Sequence, residues 1–226
     1  MKIFTADFET ATWFEDKTHV WAWATCEIET EKIEMGNNID DFITFCKKNK
    51  NCKCIFHNLK FDGEFIIYWL LTHDFKHVTK KEEIGDKTFT TLISDMGQFY
   101  EIVVYFKKDN NRNVHKVTFQ DSLKIINMSV KQIAKSYGIK EQKGEIDYNK
   151  FREIGHELTE EEKEYIKNDV LIVAKALKNF FDKGLTKMTI ASNALTEYKN
   201  IMTINKFMHY FPELDKRCRR RPKKWL

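Results

Sequence analysis

Four carboxylates and a tyrosine, divided among three blocks far apart along the chain, constrain the fold more than any other feature: Asp7-Phe8-Glu9-Thr10, Asn58-Leu59-Lys60-Phe61-Asp62-Gly63 and Tyr165-Ile166-Lys167-Asn168-Asp169. The first block lies in a strand-like stretch, where Phe4, Ala6 and Phe8 alternate with Ile3, Thr5, Asp7 and Glu9. Asp7 and Glu9 therefore point the same way. In the last block, Ile166, Val170, Val173, Leu177 and Phe181 recur at helical spacing, which puts Tyr165 and Asp169 on one side, about one turn apart. Thr159 with Glu162 forms a capping-box pattern at the start of that helix, and Gly184 lies where it can stop. Taken singly, such acids are usually solvated surface charges. Taken together, they ask for a fold in which a strand and a late helix meet.

Their chemistry fits in-line cleavage of a phosphodiester, which requires charge to be neutralised on both the attacking and the leaving oxygen. Two divalent ions about 3.5–4 Å apart achieve this. A set of Asp and Glu with no Cys or His selects hard ions, Mg²⁺ or Mn²⁺, over zinc. The expected metal ligands are Asp7, Glu9, Asp62 and Asp169.

The hydrophobic pattern alternates strands with helices. Strands are expected at 2–9, 19–28, 31–35, 53–56, 88–94, 98–106 and 114–121, and helices at 40–48, 61–72, 130–137 and 160–182. A tight turn at Asp95-Met96-Gly97 and a polar turn at 107–113 join the later strands. The expected class is α/β, a mixed sheet flanked by helices with the carboxylates gathered at strand ends.

A formal net charge of +4, from 38 basic and 34 acidic residues, permits nucleic-acid binding without requiring it. No apolar run approaches membrane-spanning length, and the acid at position 7 comes too early for a secretory signal, so a cytoplasmic protein is expected. Five cysteines, an odd number, argue against a disulfide framework. Cys52 and Cys54, with His57 nearby, read better as buried thiols than as a metal site.

The three blocks resemble the three exonuclease motifs of the proofreading 3'–5' exonuclease domain of family B DNA polymerases, of the protein-primed type found in small tailed phages. The similarity also takes in Asp121-Ser122-Leu123-Lys124, Lys143-Gly144-Glu145-Ile146-Asp147-Tyr148 and Gly184-Leu185-Thr186-Lys187-Met188-Thr189, and runs from about residue 3 to about residue 212. It implies a ribonuclease-H-like fold, with Asp7, Glu9, Asp62 and Asp169 as metal and catalytic carboxylates, Tyr165 orienting the attacking water and Lys143 contacting the scissile phosphate. Thr10, His57, Asn58, Phe61, Ser122, Leu123 and Tyr148 would hold a single-stranded DNA 3' end. Phe61 beside His57 and Asn58 does offer stacking and hydrogen bonding to a strand. It also shares a helical face with Phe65, Ile66 and Trp69, so a core position is equally consistent with the pattern. His57 reads equally as a satisfied interior histidine, Ser122 and Leu123 as loop and core residues, and Lys143 as a solvated lysine.

The expected domain is 1–212, followed by a basic tail at 213–226 where the family's linker to the polymerase domain would begin. Seven basic residues within 216–225 would attract a polyanion. No polymerase active site fits in this length, so a polymerase domain on another chain and a terminal protein are the expected partners. Two other functions suit the same residues: an RNA 3'–5' exonuclease, distinguished by contact with the 2'-OH, and a non-catalytic module that binds single strands or a partner.

Overall fold

A computed structural model of the chain describes residues 1–14, 17–108, 114–148 and 150–212. The basic tail at 213–226, and positions 109–113 of the expected polar turn, lie outside the described residues.

Eight strands form one mixed sheet: β1 (Ile3–Phe14), β2 (Lys17–Glu27), β3 (Ile33–Gly36), β4 (Lys53–Phe56), β5 (Lys76–His77), β6 (Thr88–Ile93), β7 (Phe99–Lys108) and β8 (Val114–Asp121), in the order β3-β2-β1-β4-β8-β7-β6-β5. The centre is parallel, with β4 between β1 and β8, and both flanks carry antiparallel pairs. Parallel neighbours need crossover connections, and helices supply them. The helices are α1 (Ile39–Lys48), α2 (Leu59–Thr72), α3 (Val130–Ser136), α4 (Glu160–Asp182), α5 (Ile190–Met202) and α6 (Ile204–Tyr210). This is the ribonuclease-H-like arrangement.

The alternation of β1 divides the interior. Phe4, Ala6 and Phe8 join Phe42 and Phe45 of α1, Leu59 and Ile66 of α2, and Phe56 and Phe119 in an aromatic core on one face. On the other face Ala22, Ala24 and Cys26 of β2 meet Ile166, Val170, Val173 and Leu177 of α4. The strand β1 runs five residues past Glu9 because β2 pairs along its length. Their register slips beside Glu9, where Thr10 faces Val20 and Glu9 faces Ala22. Trp21 is therefore extra, a bulge that re-aims its indole toward the α4 side.

The capping box at Thr159 and Glu162 opens α4, and Gly184, at φ +75°, follows its end. Gly97, at φ +69°, makes the expected tight turn between β6 and β7. The described cysteines are free thiols, and Cys46, Cys52 and Cys54 are buried together in the aromatic core. Cys52 and Cys54 form no metal-binding group with His57 among the described residues. The sequence pattern left β5, α5 and α6 unassigned. The two helices pack on each other through Tyr198, Phe207 and Phe211, while Ile190, Ile201 and Ile204 remain exposed.

Candidate active site

The ends of the parallel strands and one face of α4 converge where the sequence predicts. Oxygens of Asp7, Glu9 and Asp169 lie within 4.8 Å of one another, although Asp169 is on α4 and the other two are on β1. Close approach is possible because the side chains between strand and helix are small. The Thr5 hydroxyl donates 2.8 Å to the Val170 carbonyl, tying α4 to β1 one residue from Asp169.

Asp62, on the first turn of α2, accepts the Phe8 N–H at 3.2 Å and is buried. It flanks the cluster without belonging to the group of three. Its placement depends on a sharp corner after β4. Asn58 adopts a left-handed conformation, φ 82° and ψ 57°, and α2 starts at the next residue. Asp121, at the end of β8, holds that corner, accepting the N–H of Asn58 at 3.1 Å and that of Leu123 at 2.9 Å.

Burial and mutual repulsion disfavour negative charge on these carboxyls. Burial, followed by the charge of Asp169, lifts the Asp7 carboxyl to about 7. Burial together with Asp7 and Asp169 pushes Glu9 well above the usual carboxylate range, and burial with Asp7 does the same to Asp62. Asp169 is raised by burial despite an ion pair with Lys143, and its Oδ1 is buried without a hydrogen-bond partner among the described residues. A carboxylate cluster with one buried oxygen, Asp169 Oδ1, left without a partner fits one or more hard divalent cations.

A strap following α3 closes over the cluster. It brings Lys143 to Asp169 and sets the ammonium 5.1 Å from the Tyr165 ring centre. Gly144 passes so near that an added Cβ would lie 3.2 Å from that ring. The Tyr148 hydroxyl is 2.6 Å from that of Tyr165. Burial, then Glu9, raises the Tyr165 phenol, so it stays protonated; burial works against the Lys143 ammonium, but Asp169 together with Asp7 raises it and keeps it charged. Lys143 is thus no free surface lysine. Thr5, Asp7, His57, Val130, Lys143 and Asp169 are among the residues lining a pocket of about 120 Å³ here.

The remaining expected residues gather around this end of the sheet. His57 is neutral, because burial lowers its pKa, and both ring nitrogens are engaged: Nδ1 lies 2.9 Å from the Ser122 hydroxyl and Nε2 lies 2.6 Å from the Met128 carbonyl. Ser122 is buried and donates to the Phe56 carbonyl at 3.0 Å, and Leu123 is half-buried. Asn58 is exposed and Thr10 half-buried just past the bulge. Phe61 is 46% exposed and Tyr148 62%, so both offer ring faces outward, and the core reading of Phe61 does not hold. Ile66 and Trp69 are the members of that helical stripe that enter the core.

Two positioning roles escaped the sequence reading. One is that of Asp121, which the sequence marked only as part of a segment similar to the family's and as the end of a strand before a turn. The other is that of Arg152, which is 5% exposed. Its guanidinium contacts Glu162 at 2.5 Å, donates to the Asp147 and Lys150 carbonyls at 2.9 Å, and lies 4.5 Å from the Trp21 ring centre. His156 adds a 2.8 Å contact to Glu162. Against the cost of burial, Arg152 holds the Glu162 carboxyl down at about 2. This clamp anchors the strap carrying Lys143 and Tyr148 to the first turn of α4. In sequence Glu162 already had a role as a cap, which concealed the second.

Residues 43–221 match the family described as DNA polymerase type B, organellar and viral. The chain is 42% identical to the DNA polymerase of Bacillus phage B103 over 224 residues, covering 97% of this chain and 38% of that protein. It is 30% identical to the DNA polymerase of Streptococcus phage Cp-1 over 231 residues, covering 95% and 37%. Among solved structures, phi29 DNA polymerase complexed with single-stranded DNA superposes with a TM-score of 0.87 at 39% identity, covering 95% of this chain and 37% of that one. The chain thus spans little more than a third of the length of these relatives. It belongs to the organellar and viral type B DNA polymerases.

Proposed function

We propose that this chain is a metal-dependent 3'–5' exonuclease that removes nucleotides from single-stranded DNA ends, the editing part of a protein-primed DNA polymerase acting in viral DNA replication. The observation that carries the reading is the convergence of Asp7, Glu9 and Asp169 from a strand and a helix more than 150 residues apart. A surface-binding module has no need to gather three acids, two buried and one half-buried, against one another, a costly arrangement without cations.

Asp7, Glu9, Asp62 and Asp169 would hold two Mg²⁺ or Mn²⁺ ions, which when bound neutralise charge on the attacking and leaving oxygens and acidify a bound water. The protonated Tyr165 phenol would orient that water, with Tyr148 fixing its hydroxyl. Lys143 would turn its ammonium from Asp169 to the scissile phosphate, stabilising charge that grows in the transition state. The Phe61 ring, with Asn58 and Thr10 alongside, would stack and hold the last bases of the strand without regard to sequence. His57, Ser122 and Leu123 would shape the floor beneath them. In this reading residues 1–212 are the exonuclease unit and 213–226 are a basic tail, with a polymerase domain on another chain and a terminal protein as partners in a phage-infected cell.

The decisive experiment follows a 3'-labelled single strand in Mg²⁺ or Mn²⁺. The wild-type chain releases mononucleotides, and Asp169→Ala lowers the rate by at least about 10³-fold, several kcal/mol of transition-state stabilisation. Undiminished degradation by that variant overturns the site. A matched RNA strand degraded faster than DNA would reassign the substrate, and strand binding without mononucleotide release would overturn catalysis.

A further inference from the structure

We propose a second ligand site at the pole opposite the carboxylates, a pocket for a phosphorylated nucleoside, taken either free or as one unit of a single strand. A cavity of about 500 Å³ opens where the C-terminal ends of α1 and α2 approach β7 and β8, and it shares no lining residue with the carboxylate pocket. Thr72, on its wall, lies ten residues along α2 from Asp62, about 15 Å at the rise of a helix.

Lysines reach this cavity from three parts of the chain: Lys47 and Lys50 at the end of α1, Lys87 before β6 and Lys107 on β7. Lys116 of β8 also borders it, but strand alternation turns its side chain to the other face of the sheet, toward Glu101. The single acid on its lining, Asp74, is exposed and lies 3.8 Å from Lys87. Among the described residues Lys47 and Lys50 form no ion pair, which leaves their charge available. Between the lysines the exposed ring of His73 lies flat on the buried indole of Trp69. The rings of Trp69 and His73 stack at 3.9 Å with 8° between their planes, and Asp40 fixes the indole by accepting from Nε1 at 2.8 Å. Lys47 stands 5.5 Å from the Trp69 ring centre and 5.7 Å from that of Phe106. The outer face of the His73 ring takes a base by stacking, with Trp69 beneath it as the reporter, and ammonium groups beside it take a phosphate.

The chain is rich in lysine throughout, so the clustering must be tested against a neighbour. The ridge of Trp69, Thr72 and His73 also borders a larger groove of about 640 Å³ on its other side. No lysine lines that groove, whereas Asp40 and Glu64 do. The lysines are therefore gathered on one side of a shared aromatic wall. That asymmetry selects an anion with a flat ring over a cation or a purely apolar guest.

The full chain labelled with ¹⁵N, in EDTA so that the carboxylates bind no metal, is titrated with dAMP, adenosine, and a short oligo(dA), following the Trp69 indole resonance assigned through Trp69→Phe. Expected are saturable shifts with dAMP or oligo(dA), at least about tenfold weaker binding of adenosine, and a similar loss for Lys47→Glu/Lys50→Glu. Response to dAMP identifies a free nucleotide, and response to oligo(dA) alone identifies a unit within a strand. Equal binding of adenosine, an unmoved Trp69 resonance with every ligand, or full affinity in the double variant overturns the proposal. Should the charge reversal disturb folding, Lys47→Gln/Lys50→Gln repeats the test. None of these readouts depends on nuclease activity.

Discussion

The two faces of the sheet are built differently. On the α1 and α2 side aromatic rings fill the space, with Phe8 meeting Phe42 at 4.8 Å and Phe56 at 5.1 Å in edge-to-face geometry. On the α4 side Thr5, Ala22, Ala24 and Ala174 keep side chains short, and the helix comes near enough for a strand hydroxyl to bond its backbone. Large rings bury much apolar area and set a wide separation. Small residues bury less but allow polar groups from strand and helix to share one volume. The contrast teaches that one face holds the molecule together while the other brings acids into register.

Substitutions on the two faces should therefore separate stability from rate. The largest effect is expected from Asp169→Ala, which should lower exonuclease rate by on the order of 10³- to 10⁴-fold while leaving the thermal midpoint equal or higher, because a buried carboxylate is removed. A fall in the midpoint would make the acid a structural element. Phe42→Ala, on the aromatic face, should cost about 3–5 kcal/mol of stability yet leave kcat of the folded fraction within about twofold, and denaturant unfolding beside initial rates would check this. Arg152→Ala strands Glu162 in the interior, at a cost of about 3 kcal/mol, and should also reduce kcat because Lys143 and Tyr148 lose their anchor. Arg152→Lys should recover part of the stability but less of the rate, since a single ammonium cannot replace the guanidinium fork.

The pH dependence of the metal-free protein gives a smaller signature. Asp7 in the folded chain titrates at about 7 against an ordinary 3.8, so the native state retains a proton that the unfolded chain has released. Stability from this group must fall as pH rises from about 3.8 to about 7. Glu162, held at about 2 against 4.5, acts in the opposite sense, contributing fully above 4.5 and losing its contribution as pH falls toward 2. Melting curves without metal should therefore peak near pH 4–5, between these windows, and Mn²⁺ should raise the midpoint chiefly above that range. An Mn²⁺ effect independent of pH would sever the link between the ions and the acids. Least of all, Thr5→Val should cost about 1 kcal/mol for its lost hydrogen bond and slow cleavage severalfold by loosening α4, whereas Phe45→Leu on the aromatic face should leave the rate unchanged.

Periodicity made much of this legible. The bounds 53–56, 114–121 and 160–182 emerge as expected because β4 is a short apolar run, β8 alternates Val117 and Phe119 with polar residues, and α4 carries both a cap and a long apolar stripe. The same patterns assign Asp7 and Glu9 to one face and Tyr165 and Asp169 to another. A period reveals which way a side chain points but not what stands opposite. Apart from the family resemblance, Lys143 reads only as a lysine before a glycine, since its partner Asp169 is 26 residues away. Arg152 carries no local pattern, and the Trp21 bulge arises from pairing between strands. The helices α5 and α6 leave Ile201 and Ile204 exposed, so their apolar positions do not resolve into a single buried stripe.

The corner at Asn58 has a consequence for how such a chain can change over time. Because α2 begins directly after a left-handed residue pinned by Asp121, no slack separates the strand from the first helical turn. One residue inserted between Asn58 and Asp62 would swing the carboxylate about 100° around the helix axis, out of reach of Asp7. Point replacements along this stretch can be absorbed one atom group at a time, but a change in its length cannot, so the spacing of the second block should drift more slowly than its composition.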